Sequence, residues 1–99
     1  MSTPARPVVE IHFCPGCRWW LRAGYTAQEL FATFGGELAE VRIISAEQGT
    51  YVIKLDGQTI WDRRVDNGFP EIADLKRRIR DLTAPDRELG HLDRSKAEA

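Results

Sequence analysis

The sequence has little cysteine, little methionine and no surplus of charge of either sign. Its 99 residues include two cysteines and one methionine, and the formal net charge is −1. Two cysteines are too few for the disulfide framework that staples small secreted domains. Balanced charge gives no reason to expect nucleic acid or an anionic membrane surface as a partner.

Long apolar runs are also missing. No stretch approaches the roughly 18 apolar residues of a membrane span, and residues 1–7 lack the apolar centre of a secretory signal. We therefore expect a cytoplasmic protein with no membrane partner. In that reducing compartment, two neighbouring cysteines indicate a transient, catalytic disulfide rather than a structural one.

Both cysteines fall at one junction, where a strand pattern meets a helix pattern. The strand is predicted at Val8–Phe13 and the helix over 18–34, with Cys14-Pro15-Gly16-Cys17 between them. Thiols three residues apart at a helix start have Cα atoms about 5.5 Å apart, which suits a disulfide. The helix N-terminus and the Arg18 cation both favour the thiolate. The sequence therefore predicts a redox pair at Cys14 and Cys17.

Two other interpretations of the pair are an inert buried pair and half of a zinc site. A structural zinc site usually takes four Cys or His ligands, and only His12 is nearby in the sequence. Zinc would therefore require a second chain, in a metal-binding homodimer. The residue after Cys17 is Arg18 and not histidine, which excludes covalent haem attachment. We expect no permanently bound metal or other cofactor.

Three further residues near the pair are candidate site residues or core residues. Trp20 begins the apolar stripe of the first helix, so we expect its side chain in the core. Trp19 lies about 100° around the helix and cannot face the same core, so we expect it to flank the dithiol. His12 precedes Cys14 by two residues and is a candidate proton shuttle, although such histidines are more often solvated strand residues.

The rest of the chain predicts three more strands and one more helix. The strands are expected at 38–45, 50–55 and 58–63, and the second helix begins at Pro70 with an apolar stripe of Ile72, Leu75, Ile79 and Leu82. Strand-helix-strand order makes the first two strands parallel, with a right-handed crossover. We expect one domain over 8–83, a flexible lead-in over 1–7 and a mobile charged tail over 84–99.

Asp56-Gly57 indicates a two-residue hairpin turn, which sets the register of the last two strands. The predicted cross-strand pairs are Leu55 with Gln58, Ile53 with Ile60, and Val52 with Trp61. We expect the core face of this hairpin to consist of Tyr51, Ile53, Leu55 and Ile60. Val52 and Trp61 then lie on the less apolar face, as a satellite packing pair or as a docking patch for a protein partner.

Several motifs together resemble the selenoprotein T/W/H (Rdx) family, in particular its bacterial selenoprotein W-like members with Cys-x-x-Cys. The resemblance covers about residues 8–82. It is carried by Phe-Cys-Pro-Gly-Cys-Arg-Trp over 13–19, Gly35-Gly36, Leu55-Asp56-Gly57 with Ile60-Trp61, and Asp-Asn-Gly-Phe-Pro over 66–70.

The resemblance implies a thioredoxin-like α/β (α+β) fold, with a small mixed sheet and helices mainly on one face. The short loop over 46–49 would by itself favour a plain meander. It also implies a thiol redox protein acting on glutathione, as a co-substrate, or on client-protein thiols, with Cys14 and Cys17 as the redox pair. Gln48-Gly49-Thr50 holds no proline, whereas thioredoxins place a cis-proline there.

Position in the chain and the family resemblance disagree about which cysteine is the attacking thiol. Position predicts that Cys14 attacks, because it would lie at the exposed edge of the helix with Cys17 shielded one turn in. In relatives with selenocysteine, that residue aligns with Cys17, which favours Cys17. A different class of function is a non-catalytic redox-sensing adaptor that binds a protein partner.

Overall fold

The computed structural model describes residues 6–90, which form one mixed four-stranded sheet and two helices. The strands are β1 (Val8–Phe13), β2 (Glu40–Ser45), β3 (Tyr51–Leu55) and β4 (Gln58–Asp62), in the order β2-β1-β3-β4. β1 pairs with β2 in parallel and with β3 antiparallel, and β3 pairs antiparallel with β4. The parallel pair and the mixed sheet are confirmed. β3 lies beside β1 and not beside β2, so the sheet is not a meander.

The helices are α1 (Trp20–Phe34) and α2 (Ile72–Thr83), with a short 3₁₀ turn at Gly35–Glu37 after α1. The predicted order of strand, helix, three strands and helix is confirmed, and it is consistent with a thioredoxin-like domain. α1 begins two residues later than predicted. Arg18 has φ +61°, a left-handed conformation that a right-handed helix cannot include.

One apolar cluster joins the sheet to both helices. Val9, Ile11 and Phe13 of β1 lie opposite Leu55, Ile53 and Tyr51 of β3, and all six are buried. The same cluster contains buried side chains from α1 and α2, namely Ala23, Ala27, Leu30, Phe34, Leu75 and Ile79. The predicted core face of the hairpin is therefore confirmed. The placement of both helices mainly on one face stays a prediction, which this shared cluster supports.

The register of β4 differs from the prediction because β4 carries a bulge. The Asp56-Gly57 turn and the Leu55–Gln58 pair are as predicted, but Ile53 pairs with Trp61 and Val52 with Asp62. Ile60 is the extra residue, so Ile60 and Trp61 both lie opposite Ile53. Ile60 is buried and Trp61 packs against the core cluster. The predicted Val52–Trp61 pair on the opposite face is therefore wrong.

α2 also departs from its predicted pattern. It begins at Ile72, so Pro70 lies two residues before the helix and does not open it. Leu75 and Ile79 are fully buried, but Leu82 in the last turn of α2 is 52% exposed. Lys76, which the pattern leaves on a solvated face, is buried and its Nζ lies 2.9 Å from Glu29 Oε1 of α1.

The two ends of the described chain both contact the C-terminal end of α1. Arg6 donates a hydrogen bond to the Gly36 carbonyl at 3.0 Å. Arg87 lies 2.7 Å from Glu37 Oε1 and donates to the Thr33 carbonyl at 2.8 Å. Arg87 and Leu89, at the start of the predicted tail, therefore contact the domain, and the mobile tail over 84–99 stays a prediction. The rest of that predicted tail, and residues 1–5 of the lead-in, lie outside the described residues.

Candidate functional site

The central strand β1 delivers Cys14 to the end of the sheet. The Cys14 N–H donates to the Thr50 carbonyl at 2.8 Å, and the Ala46 N–H donates to the Phe13 carbonyl at 2.8 Å. These bonds tie the start of the Cys-Pro-Gly-Cys segment to the β2–β3 loop. Residues 15–19 then form a turn that precedes α1. The cysteines thus lie before the helix, and Cys17 is not part of its first turn.

Cys14 and Cys17 are joined as a disulfide, with their Cα atoms 5.4 Å apart. This spacing falls within the range that protein disulfides adopt. The pair can therefore be oxidised within one chain.

The two cysteines differ sharply in their exposure to solvent. Cys14 is only 2% exposed, whereas Cys17 is partly exposed. The expectation that Cys14 lies at the exposed edge and Cys17 is shielded is therefore wrong, because the turn precedes the helix and the first cysteine remains at the end of the central strand. The Cys14 sulfur also accepts the Cys17 N–H at 3.2 Å.

A shallow groove lies beside the disulfide. One wall consists of Cys14, Pro15, Gly16 and Cys17, and the other wall consists of Ala46 and Gln48 from the β2–β3 loop. A thiol or disulfide substrate that occupies this groove would meet the exposed side of Cys17.

Trp19 packs inward, and Trp20 points outward, contrary to the prediction. Trp20 is 54% exposed, whereas Trp19 packs against the core cluster. The left-handed Arg18 reverses the path of the chain just before α1, which turns Trp19 towards the sheet. Phe31, further along α1, is also exposed.

Trp19 belongs to a group of three aromatic rings behind the dithiol turn. Its ring centroid lies 5.0 Å from that of Phe69 and 6.4 Å from that of Tyr51, both edge-on. Phe69 and Tyr51 are themselves 5.1 Å apart. Two guanidinium groups cover the rings, with Arg22 3.9 Å from the Phe69 centroid and Arg63 4.9 Å from the Trp19 centroid. Burial raises the pKa of the Tyr51 hydroxyl above its usual value.

The sequence interpretation missed Arg63 and Arg64, which border the β2–β3 loop. Arg63 donates to the Gly49 carbonyl at 3.0 Å and Arg64 donates to the Gln48 carbonyl at 2.8 Å. Gly49 has φ +80°, and a Cβ there would lie 2.7 Å from Arg64 Nη2. The available signal was the glycine in a short loop, but nothing in its spacing from residues 63 and 64 predicts the contact.

His12 and Arg18 make contacts with groups other than the cysteine sulfurs, and their candidate roles stay predictions. His12 Nε2 lies 2.8 Å from Glu10 Oε1, on the face of β1 opposite the core residues. This hydrogen bond, with smaller contributions from the charges of His12 and Arg42, lowers the pKa of Glu10. Arg18 is exposed in the turn, and its backbone N–H donates to the Pro15 carbonyl at 3.2 Å. Within residues 6–90 the structure records no contact from either side chain to a cysteine sulfur.

Trp61, proposed with Val52 as a docking patch, is held inside the domain. Its indole N–H donates to the Gly68 carbonyl at 2.8 Å and its ring lies under Arg78 at 4.9 Å. Exposed apolar side chains are found instead on α1, where Trp20, Leu21 and Tyr25 surround Gly24. In the described part of the chain, no three His, Cys, Asp or Glu residues group as a metal site.

The family of the chain follows from comparison with known proteins. The model of the Rdx family matches residues 8–81, from the start of β1 to the last turn of α2. The chain belongs to the Rdx family. The match includes the Cys14–Cys17 pair, the β2–β3 loop and the aromatic group. The resemblance indicated by the motifs is therefore confirmed.

Two solved structures resemble this Rdx chain closely in sequence and fold. A selenoprotein W-related protein from Vibrio cholerae is 38% identical, with a TM-score of 0.77 over 79% of this chain and 98% of that one. A Bordetella parapertussis protein is 45% identical, with a TM-score of 0.77 over 78% of this chain and 98% of that one. No significant match was found among curated proteins. No helix of this Rdx chain within residues 6–90 is long and apolar enough to cross a membrane.

Proposed function

We propose that this Rdx protein is a small thiol–disulfide redox protein that uses Cys14 and Cys17. The observation that carries the proposal is the pair itself, bonded within one turn, with its Cα atoms 5.4 Å apart, a partly exposed Cys17 and a groove that both cysteines line. A structural disulfide gains nothing from a groove at its sulfur, whereas thiol exchange needs access for an incoming sulfur.

Cys17 is the attacking thiol in this proposal, because it is the more exposed of the two. Its thiolate attacks one sulfur of a substrate disulfide, which releases the other substrate sulfur as a thiolate that takes a proton from solvent. The Cys14 thiolate then attacks Cys17 Sγ in the mixed disulfide. This step releases the second substrate thiolate and forms the Cys14–Cys17 disulfide. The Cys17 N–H at 3.2 Å from Cys14 Sγ supports the resolving thiolate.

Glutathione and client-protein thiols are the proposed substrates, and glutathione is the proposed reductant. Two glutathione thiols would return the disulfide to the dithiol and leave as glutathione disulfide. The proposed mechanism needs no bound metal or organic cofactor, because sulfur atoms carry both electrons. The proposed compartment is the cytoplasm, where a disulfide is transient. Cys14 and Cys17 remain the proposed catalytic residues.

Single-cysteine variants test the order of attack. In Cys14→Ser, the remaining Cys17 should react rapidly with iodoacetamide and form a mixed disulfide with oxidised glutathione. In Cys17→Ser, alkylation of the buried Cys14 should be at least about tenfold slower under native conditions. Both variants should react equally fast in denaturant, which controls for intrinsic reactivity. Fast native reaction of Cys14 with slow reaction of Cys17 would reverse the assignment.

A redox-sensing adaptor is a second candidate function, favoured by the exposed apolar side chains of α1. Trp20, Leu21 and Tyr25 lie on a helix that begins three residues after Cys17, so a bound partner could respond to the state of the pair. Steady-state reduction of a model disulfide by glutathione separates the two functions. A catalyst turns over many times per protein, whereas a sensor reacts once.

A further inference from the structure

We propose that Arg63 is a positioning residue for the Cys14–Cys17 pair, an inference that rests on the proposed redox function. Arg63 follows β4 and its backbone is fixed on both sides. Its N–H donates to the Tyr51 carbonyl at 2.9 Å, and its carbonyl accepts the Gly68 N–H at 3.0 Å. The side chain therefore extends from an anchored backbone position.

The guanidinium of Arg63 contacts a residue close to each wall of the disulfide groove, namely Gly49 beside Gln48 and Trp19 beyond Cys17. Its Nη2 and Nε lie 3.0 Å and 3.3 Å from the Gly49 carbonyl oxygen. Its Cζ lies 4.9 Å from the ring centroid of Trp19. Gly49 belongs to the β2–β3 loop, and Trp19 ends the turn that contains Cys17. One side chain thus joins the loop wall to the cysteine wall.

Each of these contacts leads to a cysteine in two steps, along the backbone or through a hydrogen bond. Thr50, next to Gly49, accepts the N–H of Cys14 at 2.8 Å. Trp19 is two residues beyond Cys17, and its ring is held edge-on by Phe69 and Tyr51. Arg63 therefore limits movement of the Cys17 turn relative to the Cys14 backbone. The planar guanidinium of arginine can donate hydrogen bonds and stack on an aromatic ring at the same time, whereas the ammonium of lysine lacks this planar geometry.

This restraint bears on the equilibrium between the disulfide and the dithiol. Oxidation by glutathione disulfide converts the two thiols to the Cys14–Cys17 bond and releases two glutathione thiols. In the last step of oxidation, Cys14 Sγ attacks the mixed disulfide between Cys17 and glutathione. This step depends on the effective concentration of Cys14 Sγ near Cys17 Sγ. By holding the two Cα atoms at the spacing that a disulfide requires, Arg63 favours the oxidised form.

Arg63→Lys tests the proposal, with Arg78→Lys as a matched control. Arg78 makes the same two kinds of contact elsewhere, donating to the Ile60 carbonyl at 2.7 Å and lying 4.9 Å from the Trp61 ring centroid. The fraction of intramolecular disulfide is measured by mass spectrometry after alkylation, across glutathione buffers of increasing oxidised fraction. We expect Arg63→Lys to shift the equilibrium about tenfold towards the dithiol, or about 30 mV for two electrons. Arg78→Lys should stay within about twofold of wild type, since it does not contact the groove walls.

Trp19→Phe gives a second test if Arg63→Lys does not fold. It keeps an aromatic ring but removes the indole, and we expect a shift of about threefold in the same direction. The role of Arg63 would be overturned if Arg63→Lys and Trp19→Phe both fold and keep the disulfide–dithiol equilibrium within about twofold of wild type. It would also be overturned if Arg63→Lys and Arg78→Lys shifted that equilibrium equally. If wild-type protein forms no reversible disulfide in these buffers, the proposed redox function fails. If wild-type protein forms the disulfide reversibly and Arg63→Lys has the same disulfide fraction in every buffer, only the proposed role of Arg63 fails.

Discussion

The position of one turn determines which of the two cysteines is exposed to solvent. Cys14 sits at the end of the central strand, where neighbours bury its sulfur, and Cys17 follows it in a turn that precedes α1. This difference in solvent access supports the proposal that Cys17 is the attacking residue.

The adjacent tryptophans give a stability prediction at the residue scale. Trp19→Ala should lower the free energy of unfolding by about 3 kcal/mol, because it removes a ring packed between Phe69, Tyr51 and Arg63. Trp20→Ala should change it by less than about 1 kcal/mol, since that side chain is mostly exposed. Urea denaturation of both variants measures the difference. A larger loss for Trp20→Ala would contradict the orientation of the two rings.

Tyr51 gives a prediction about alkaline pH. Its folded-state pKa is raised by burial, so its contribution to stability is complete below the unfolded pKa of about 10 and is lost as pH rises through the folded pKa. Wild-type stability should therefore fall above about pH 10, and Tyr51→Phe should lack this part of the fall. At neutral pH, Tyr51→Phe should cost about 1 kcal/mol through loss of its contact with Thr26 Oγ1 at 3.1 Å.

Tyr25→Phe is the control for that experiment, since Tyr25 is exposed on α1. Its unfolding free energy should follow wild type across the whole pH range. If Tyr51→Phe also followed wild type above pH 10, the Tyr51 hydroxyl would not account for the alkaline loss of stability.

The redox pair of the candidate site could be predicted from the sequence, but its supports could not. Cys14 and Cys17 are three residues apart, so a turn between them is enough to bring their Cα atoms within disulfide range. Arg63 reaches Gly49 from 14 residues away and depends on the register of β4. The turn that reverses Trp19 and Trp20 depends on a non-glycine residue, Arg18, in a left-handed conformation. A prediction from helical periodicity assumes a regular helix through residue 18, so it does not include this left-handed conformation.

At the scale of elements, one ion pair joins the two helices. Lys76 of α2 is buried with its Nζ 2.9 Å from Glu29 Oε1 of α1. Removing the carboxylate should cost more than removing the cation, because Glu29→Ala leaves a buried ammonium without this partner. We expect Glu29→Ala to lower the unfolding free energy by about 1–2 kcal/mol and Lys76→Met to change it by less than about 1 kcal/mol.

Thermal and urea denaturation of the two variants check the order. Glu40→Ala serves as the control, because Glu40 pairs with Arg42 on the surface and its loss should have less effect than that of Glu29. Equal losses for Glu29→Ala and Lys76→Met would mean that burial of the lysine carries no penalty of its own.

Most elements were predictable because each has a strong local pattern. Val8–Phe13 was predicted at its observed bounds, and the Asp56-Gly57 turn was identified from its sequence alone. The bulge at Ile60 was not predictable from the hairpin, since an unbroken two-residue turn fixes only the pairs next to it. Leu82 fits the apolar stripe of α2 but lies in the last turn, where the stripe no longer faces the core cluster.

At the scale of the whole molecule, the core and the dithiol are coupled through few contacts. The central strand ends at Cys14, and beyond it one backbone bond to Thr50 and the packing of Trp19 tie the turn to the rest of the domain. The apolar cluster that unites the sheet and both helices does not include either cysteine. Cys14 is buried but is not a member of this cluster, so we expect a change in the bonding of the two sulfurs to leave the packing of the cluster intact.

Reduction of the disulfide should accordingly weaken the protein without changing its fold. The bond closes a loop of only four residues, so its loss should lower the unfolding free energy by about 2 kcal/mol. Because the core cluster is separate from the sulfurs, the dependence of that free energy on urea should keep the same slope, which reports the surface exposed on unfolding. Urea denaturation with and without reductant measures both quantities, and Cys14→Ser should be insensitive to reductant. A reduced protein with a markedly smaller slope or an altered far-ultraviolet circular dichroism spectrum would show that the disulfide holds more of the fold than its own turn.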